Sequence, residues 1–234
     1  MNKICVLIPV LNESQTIAEV VGDVRARGLD VVVVDDGSTD NSGTIARQAG
    51  AFVIRHDVRR GKGGSLRDGF RHILQKNYEA VITMDGDGQH DPVDIDQFTG
   101  LAGRTSPGII VGNRMVNPRG MPPVRYLTNR FMSLLISWAC RQAIPDTQCG
   151  YRYIHRDVLR EVPLSCDDFE IETEMLMKAA KRGFRIHSVP ILTIYRDEES
   201  KIHPAKDTIR FIRYFSKELR APAVRKESGP ARST

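Results

Sequence analysis

DVVVVDDGSTDNS, residues 30–42, runs four valines together, then two aspartates, a glycine and a string of small polar residues. Four apolar β-branched residues in succession leave no polar face, so a strand built from them is buried on both sides. The pattern recurs through the first half of the chain. KICVLIPV (3–10), AFVIRH (51–56), AVITMD (80–85) and GIIVGNR (108–114) read as strands. Between them 14–28, 41–49, 62–76 and 92–102 have polar starts and helix-like spacing. Apolar strands alternating with helix-length segments predict an α/β fold of three layers (α/β/α) around a mostly parallel sheet. Ligands on such sheets sit beyond the carboxyl ends of the strands. The polar clusters fall there: PVLNES after the first strand, DDGSTDNS after the second, DGDGQHD after the fourth and GNR after the fifth.

Past residue 120 the pattern changes. PPVRYLTNRFMSLLISWACRQA (122–143) reads as a long helix, apolar on most sides, which implies burial or docking. DTQCGYRYIHRDVL (146–159) reads as loop, strand and helix start. EIETEMLMKAAKRG (170–183) is an amphipathic helix closed by Gly183, and RIHSVPILTIY (185–195) is a strand interrupted by Pro190. Residues 206–220 place Thr208, Ile212, Phe215 and Leu219 on one helical face with Lys206, Arg210, Arg213 and Lys217 elsewhere. This predicts one domain over 1–205, a basic amphipathic helix over 206–220 and a disordered tail over 221–234.

The net charge of +5 is concentrated at one end. Residues 201–234 carry nine Lys/Arg against three Asp/Glu, so the first 200 residues come to −1. A nucleic-acid-binding core would spread cations along its binding face, so no nucleic-acid partner is expected. A basic tail suits peripheral contact with an anionic membrane surface, or solvent. The four cysteines have no CxxC pair and read as reduced thiols of a cytoplasmic protein. MNKICVLIPV lacks a signal-peptide cleavage site and continues as a strand, and no run approaches the ~20 apolar residues of a membrane span.

VITMDGDGQH (81–90) places Asp85 and Asp87 one residue apart. Two carboxylates ~4 Å apart repel by roughly 4 kcal/mol at an effective dielectric of 20, so water, a basic side chain or a metal must offset them. Gly86 and Gly88 free the backbone to aim both acids at one point, and Gln89 adds a neutral oxygen, a set suited to Mg²⁺ or a similar hard ion shared with phosphate. A hydrogen-bonded turn is the plainer alternative. His90 adjoins the pair and reads as metal or phosphate contact, or as a hydrogen-bonding group. Asp35 and Asp36 suit a nucleobase and ribose hydroxyls, though no GxGxxG follows the first strand and GKGGSLRDG (61–69) is not a Walker loop.

In order, PVLNE, VVDDGSTD, GKGGSLRDG, MDGDGQHDP, GNR, DTQCGYR, FEIETEML and ESKIHP resemble the inverting GT-A glycosyltransferases of family two over about residues 3–205. Within that family they are most similar to the dolichyl-phosphate mannose and glucose synthase branch, the polyprenyl-phosphate glycosyltransferases. The resemblance implies a GT-A nucleotide-diphospho-sugar fold, Mg²⁺ or Mn²⁺, a donor such as GDP-mannose or UDP-glucose, and a polyprenyl-phosphate acceptor at the cytoplasmic membrane face. Carried over by position, Pro9, Asn12, Glu13, Lys62 and Gly86 contact the donor, with Asp35 and Asp36 near base and ribose. Asp85, Asp87 and Gln89 surround the metal, and Asp87, Arg114 and Lys201 act in catalysis. Arg114 approaches the phosphates or the acceptor, Gln148 shapes the sugar pocket, and Arg196, Ser200 and Lys201 close over the phosphates. The membrane helices of many relatives of this branch have no counterpart here.

A phosphate acceptor is already an anionic nucleophile and needs positioning and charge neutralisation, for which Arg114, Arg125, Arg130 and Lys201 are available. A soluble hydroxyl acceptor, the alternative, needs a general base from Asp168, Glu170 or Glu172. A sugar nucleotidylyltransferase fits less well because no basic glycine-rich loop follows the first strand. A non-catalytic binding protein is the remaining alternative.

Overall fold

The valine run of the second strand lies beside the first. β1 (Ile4–Val10) and β2 (Asp30–Asp35) pair in parallel, with Leu7 opposite Val32 and Val10 opposite Asp35. The computed structural model describes residues 3–118, 120–192, 194, 211, 213–216 and 218. β3 (Phe52–Arg55), β4 (Ala80–Thr83), β5 (Ile109–Asn113), β6 (Arg152–His155) and β7 (Ile186–Pro190) complete a sheet of order β3-β2-β1-β4-β6-β5-β7. Every pairing is parallel except those of β6, which runs against both β4 and β5. The mostly parallel sheet is therefore as the valine pattern predicts, while the reversal of β6 is not written in its own residues.

That reversal positions the site. Arg152, the first residue of β6, lies opposite Thr83 at the end of β4 and opposite Val111 near the end of β5. The loop 146–151 that precedes β6 therefore sits at the carboxyl edge of the parallel strands. Between β1 and β4 the chain order changes direction, the crevice where ligands collect on such sheets.

Helices cover both faces: α1 (Ile17–Ala26), α2 (Ser42–Gln48), α3 (Gly61–Leu74), α4 (Ile95–Thr105), α5 (Pro123–Cys140), α6 (Arg156–Glu161) and α7 (Glu170–Lys181). The helix expected from residue 14 starts at Ile17. Asn12 turns left-handed (φ 56°), and Thr16 and Ile17 close a turn by donating to the Glu13 carbonyl. The helix expected over 92–102 splits into a 3₁₀ turn, Pro92–Asp94, capped by Asp91, and α4. β7 ends at Pro190 on the sheet edge, where a missing N–H costs least. Cys5, Cys140 and Cys149 are buried free thiols, pushed up to about 12 by burial.

Glu174 of α7 fixes the loop that the site leans on. Its fully buried carboxylate accepts from the Ser165 and Cys166 backbone N–H groups (2.9 Å each) and from Lys178 Nζ (2.6 Å). Burial alone would raise its pKa, but Lys178 and those N–H groups outweigh it and hold the group below the usual carboxylate range.

Two segments differ from simple expectation. In α5 the large apolar side chains face out, and Asn129, Ser133, Ile136 and Cys140 face in. Of the segment 206–220, Phe211, Arg213–Ser216 and Glu218 are described, and those residues are helical. Phe211 is buried and stacks on Phe215 at 5.5 Å, and Glu218 accepts from Lys181 at 2.7 Å, so these residues pack on α7. Thr208, Ile212 and Leu219 of the expected apolar face lie outside the described residues, as does 221–234.

Candidate active site

The question raised by Asp85 and Asp87 has a direct answer: a lysine sits on one of them. Lys62 Nζ lies 2.7 Å from Asp85 Oδ1 and 2.9 Å from Glu172 Oε1, bridging the end of β4 to the first turn of α7. The three side chains converge on Gly150, where an added Cβ would meet Asp85 Oδ2 and Glu172 Oε1 at 3.0 Å and Lys62 Nζ at 3.1 Å. Burial disfavours the charged amine, but Asp85 and then Glu172 outweigh it, so Lys62 stays protonated well above the usual lysine range. Burial likewise opposes the Asp85 carboxylate, and Lys62, by charge and hydrogen bond, overcomes it and holds it far below the usual range.

GKGG supplies the reach. Gly61 takes φ +79°, and the Gly63 and Gly64 N–H groups donate to the Asp167 carbonyl (2.8 and 3.2 Å). A Cβ on Gly63 would overlap the Cys166 carbonyl, so only glycine lets α3 approach the 166–168 loop this closely and carry Lys62 inward. The glycine-rich stretch is a packing device here, its amides filled by protein backbone.

Asp87 has a different environment. Its Oδ1 accepts from the Gln89 N–H at 2.9 Å, closing the turn that Gly88 permits with φ +72°. His90 is buried, its Nδ1 facing the Asp85 N–H at 3.1 Å and its ring stacked on Tyr151 with centroids 4.9 Å apart. Burial lowers its pKa against the pull of Asp85 and Asp87, so the imidazole is held neutral and serves as a hydrogen-bond acceptor.

Among the described residues no three His, Cys, Asp or Glu side chains form a metal cluster. The donor set is two carboxylates and the Gln89 amide, all hard oxygens, and one Asp85 oxygen is already committed to Lys62. Such a set does not close a coordination sphere. It fits an ion that takes its remaining ligands from a diphosphate.

Arg114 has a buried protein partner. Its Nε and NH2 fork onto Asp146 at 2.8 and 2.9 Å, its backbone N–H adds a third bond at 3.1 Å, and both side chains are buried. The guanidinium joins the loop before β6 to the end of β5, and its charge is among those that favour the ionised form of Asp85. Arg152 works the same way from beneath, fully buried and donating to the carbonyls of Cys149, Glu172 and Thr147 (2.7–2.8 Å). Asp146, Arg152 and the Lys62 bridge were missed by sequence reasoning. The acid and arginine that bracket DTQCGYR are the available signal, and only the reversed β6 shows what they meet.

The remaining expected residues divide. Asn12 and Glu13 lie across the crevice from Gly86, whose added Cβ would meet Glu13 Cγ at 3.4 Å, and Thr16 Oγ1 donates to the Gly86 carbonyl at 2.6 Å. Asn12 Oδ1 is used by Thr39 N–H at 2.9 Å, tying the loops after β1 and β2 together. Pro9 pairs with Val34 inside the sheet. Asp35 is fully buried, accepting from Ser38 N–H and from the half-exposed Arg55 NH1 at 2.9 Å each. Asp36 accepts from the Arg60 and Gly61 N–H groups (2.7 and 2.9 Å) and from His56 (2.8 Å), which makes it the anchor of the α3 start. Gln148 lies in the loop that carries Gly150, its amide donating to Thr147 Oγ1 at 3.2 Å. Arg196, Ser200 and Lys201 lie outside the described residues.

Residues 5–163 match the family described as Glycosyl transferase family 2. UDP-N-acetylglucosamine--dolichyl-phosphate N-acetylglucosaminyltransferase of Methanococcus voltae is 28% identical over 83% of this chain and 86% of its own length. Undecaprenyl-phosphate mannosyltransferase of Micrococcus luteus is 29% identical over 86% of this chain and 87% of its own. Glucosyl-3-phosphoglycerate synthase from Mycobacterium tuberculosis, crystallised with Mn²⁺, UDP-glucose and phosphoglyceric acid, superposes with a TM-score of 0.74 at 20% identity, covering 94% of this chain and 81% of that one. At that identity the likeness establishes the shared fold.

Proposed function

This chain belongs to glycosyl transferase family 2 and is a glycosyltransferase of GT-A-like fold, and from that premise we propose that it moves one hexose from a nucleotide-diphospho-sugar to a polyprenyl phosphate. The two relatives named above act, by their names, on dolichyl and undecaprenyl phosphates, and they span most of this chain. They differ in the sugar, so the proposal covers GDP-mannose and UDP-sugar donors alike.

The observation that carries the acceptor is the Lys62–Glu172 pair. A hydroxyl acceptor must lose a proton to a base, and Glu172, the candidate that converges with Asp85 on Gly150, already accepts from an ammonium at 2.9 Å. A phosphate acceptor needs no such base. One of its oxygens attacks the anomeric carbon as the bond from that carbon to the donor diphosphate breaks, and the nucleoside diphosphate leaves with the electron pair. Negative charge grows on the leaving group, so a cation beside it stabilises the transition state selectively. Mg²⁺ or Mn²⁺ held by Asp85, Asp87 and Gln89 would supply that charge stabilisation. The chain's own part is positional. Lys62 neutralises Asp85 so that the acid pair tolerates its proximity, and Asp146 and Arg114 lock the loop that carries Gln148 and Gly150. By the motif resemblance, Lys201 and Arg196 would serve the phosphates.

A second reading, transfer to a soluble hydroxyl acceptor, has its precedent in the glucosyl-3-phosphoglycerate synthase named above, crystallised with phosphoglyceric acid. Organic extraction separates the two. With purified protein, divalent ion, labelled nucleotide sugar and polyprenyl phosphate, label enters the organic phase as a base-stable product of the lipid. Label that stays aqueous with every donor, while a soluble acceptor is glycosylated, contradicts the lipid acceptor.

A further inference from the structure

α5 is turned inside out for a helix on a protein surface. Val124, Leu127, Phe131, Leu134 and Trp138 are each between 61% and 77% exposed. Their spacing of three and four keeps all five on one strip, about 21 Å long at 1.5 Å per residue. The opposite side is tied down by small and polar groups: the Ser133 hydroxyl meets the Thr147 N–H at 2.9 Å, and that of Ser137 meets the Ile144 N–H at 3.0 Å. The helix is thus held to the fold by its polar side and offers its apolar side outward, a patch that marks an interaction surface. Val116, after β5, and Leu192 and Ile194, after β7, add exposed apolar groups at the carboxyl edge of the sheet. The chain leaves that edge at Arg114, runs through α5 and returns to the same edge at Asp146.

Charge identifies the occupant. From residue 97 to residue 145 the chain has six arginines and no lysine, aspartate or glutamate. Arg125 and Arg130 lie on α5 and Arg141 just past its end, with the Arg130 guanidinium 5.8 Å from the centre of the Tyr126 ring. A second copy docking strip to strip would bring these arginines together with no acid to meet them. An anionic bilayer supplies both missing partners, acyl chains for the strip and phosphates for the arginines. We propose that α5 is an interfacial helix that lies in the headgroup layer of an anionic membrane and brings the carboxyl edge of the sheet to that surface. Its purpose, though not its binding, rests on the polyprenyl-phosphate reading.

Trp138 is the chain's only tryptophan and reports the contact directly. The full chain is expected to sediment with phosphatidylglycerol–phosphatidylcholine vesicles, with Trp138 emission shifting to the blue and quenched by brominated acyl chains. Phe131→Glu with Leu134→Glu should lower partitioning by about a hundredfold, near tenfold for each side chain. Arg125→Gln with Arg130→Gln should lower it about fivefold per arginine at low salt. The Phe131/Leu134 variant should keep its circular dichroism spectrum and its transfer to a short-chain, water-soluble polyprenyl phosphate. Absence of vesicle binding by the wild type, binding unchanged by the double glutamate variant, or a wild-type dimer in solution that this variant dissolves would each overturn the proposal. If transfer to the soluble polyprenyl phosphate fails while vesicles still bind, the acceptor reading falls and the docking surface stands.

Discussion

Replacing Asp87 with alanine is expected to remove transfer while leaving the fold intact. Among the described residues the Asp87 carboxylate, itself only partly buried, accepts one hydrogen bond, from the Gln89 N–H, so stability should change by less than about 1 kcal/mol. Activity depends on the same carboxylate quite differently. As the acid of the pair without a lysine on it, Asp87 is the proposed main protein ligand for the ion that meets the leaving diphosphate. Loss of one group aimed at developing charge costs on the order of 10²–10³ in kcat, and loss of the ion as well moves the result to the upper end. Steady-state transfer at saturating donor, alongside thermal unfolding followed by circular dichroism, gives both numbers. Wild-type turnover in a folded Asp87→Ala protein would remove the acid pair from the chemistry.

The second large effect is on stability, at Asp146. Asp146→Ala removes the carboxylate onto which the buried Arg114 guanidinium forks, a loss of about 4 kcal/mol, or roughly 10 °C in Tm for a chain of this size. The double variant Arg114→Met with Asp146→Leu removes both charges and should recover most of that loss, because replacing a whole buried pair by apolar groups is far cheaper than breaking it. Urea unfolding of the single and double variants measures the difference. If Arg114 instead served the donor phosphates, Asp146→Ala would unfold within about 1 kcal/mol of wild type, and Arg114→Met would act on donor affinity.

How much of this is legible in the chain depends on the distance over which residues cooperate. The parallel strands and their ligand edge follow from local runs, such as the four valines of β2 and the acids that end β2 and precede His90. The left-handed Asn12 and the 3₁₀ turn at Pro92 shift helix starts by a few residues, since turn geometry is decided residue by residue. What the residues do not reveal locally is partnership across the sheet. Arg114 meets Asp146 and Lys62 meets Glu172 because β6 runs backward and α7 follows it, and neither fact is carried by the motifs themselves. The same limit applies to Asp35. Two adjacent acids at a crevice mouth suggest a ligand, yet Arg55 and the Ser38 N–H already occupy the first of them.

α5 shows the opposite limit. A helix apolar on most sides is read as buried because hydrophobic content alone does not say which side meets the core. The deciding signal was in its small polar residues. Asn129, Ser133 and Ser137 recur at helical spacing, and two of them bond the 144–147 loop. In a helix whose polar side faces protein, the apolar side faces something else.

The account turns on whether the acids after β4 hold an ion that ties a sugar-donor diphosphate to this edge. Calorimetric titration of nucleoside diphosphates into the purified protein, with Mn²⁺ or Mg²⁺ and again with a chelator, tests this most directly. The account predicts that one of GDP or UDP binds at least about tenfold more tightly with the ion, a difference of about 1.4 kcal/mol, and that Asp87→Ala erases the difference. Equal affinity with and without the ion, or an ion effect undiminished in that variant, would contradict it.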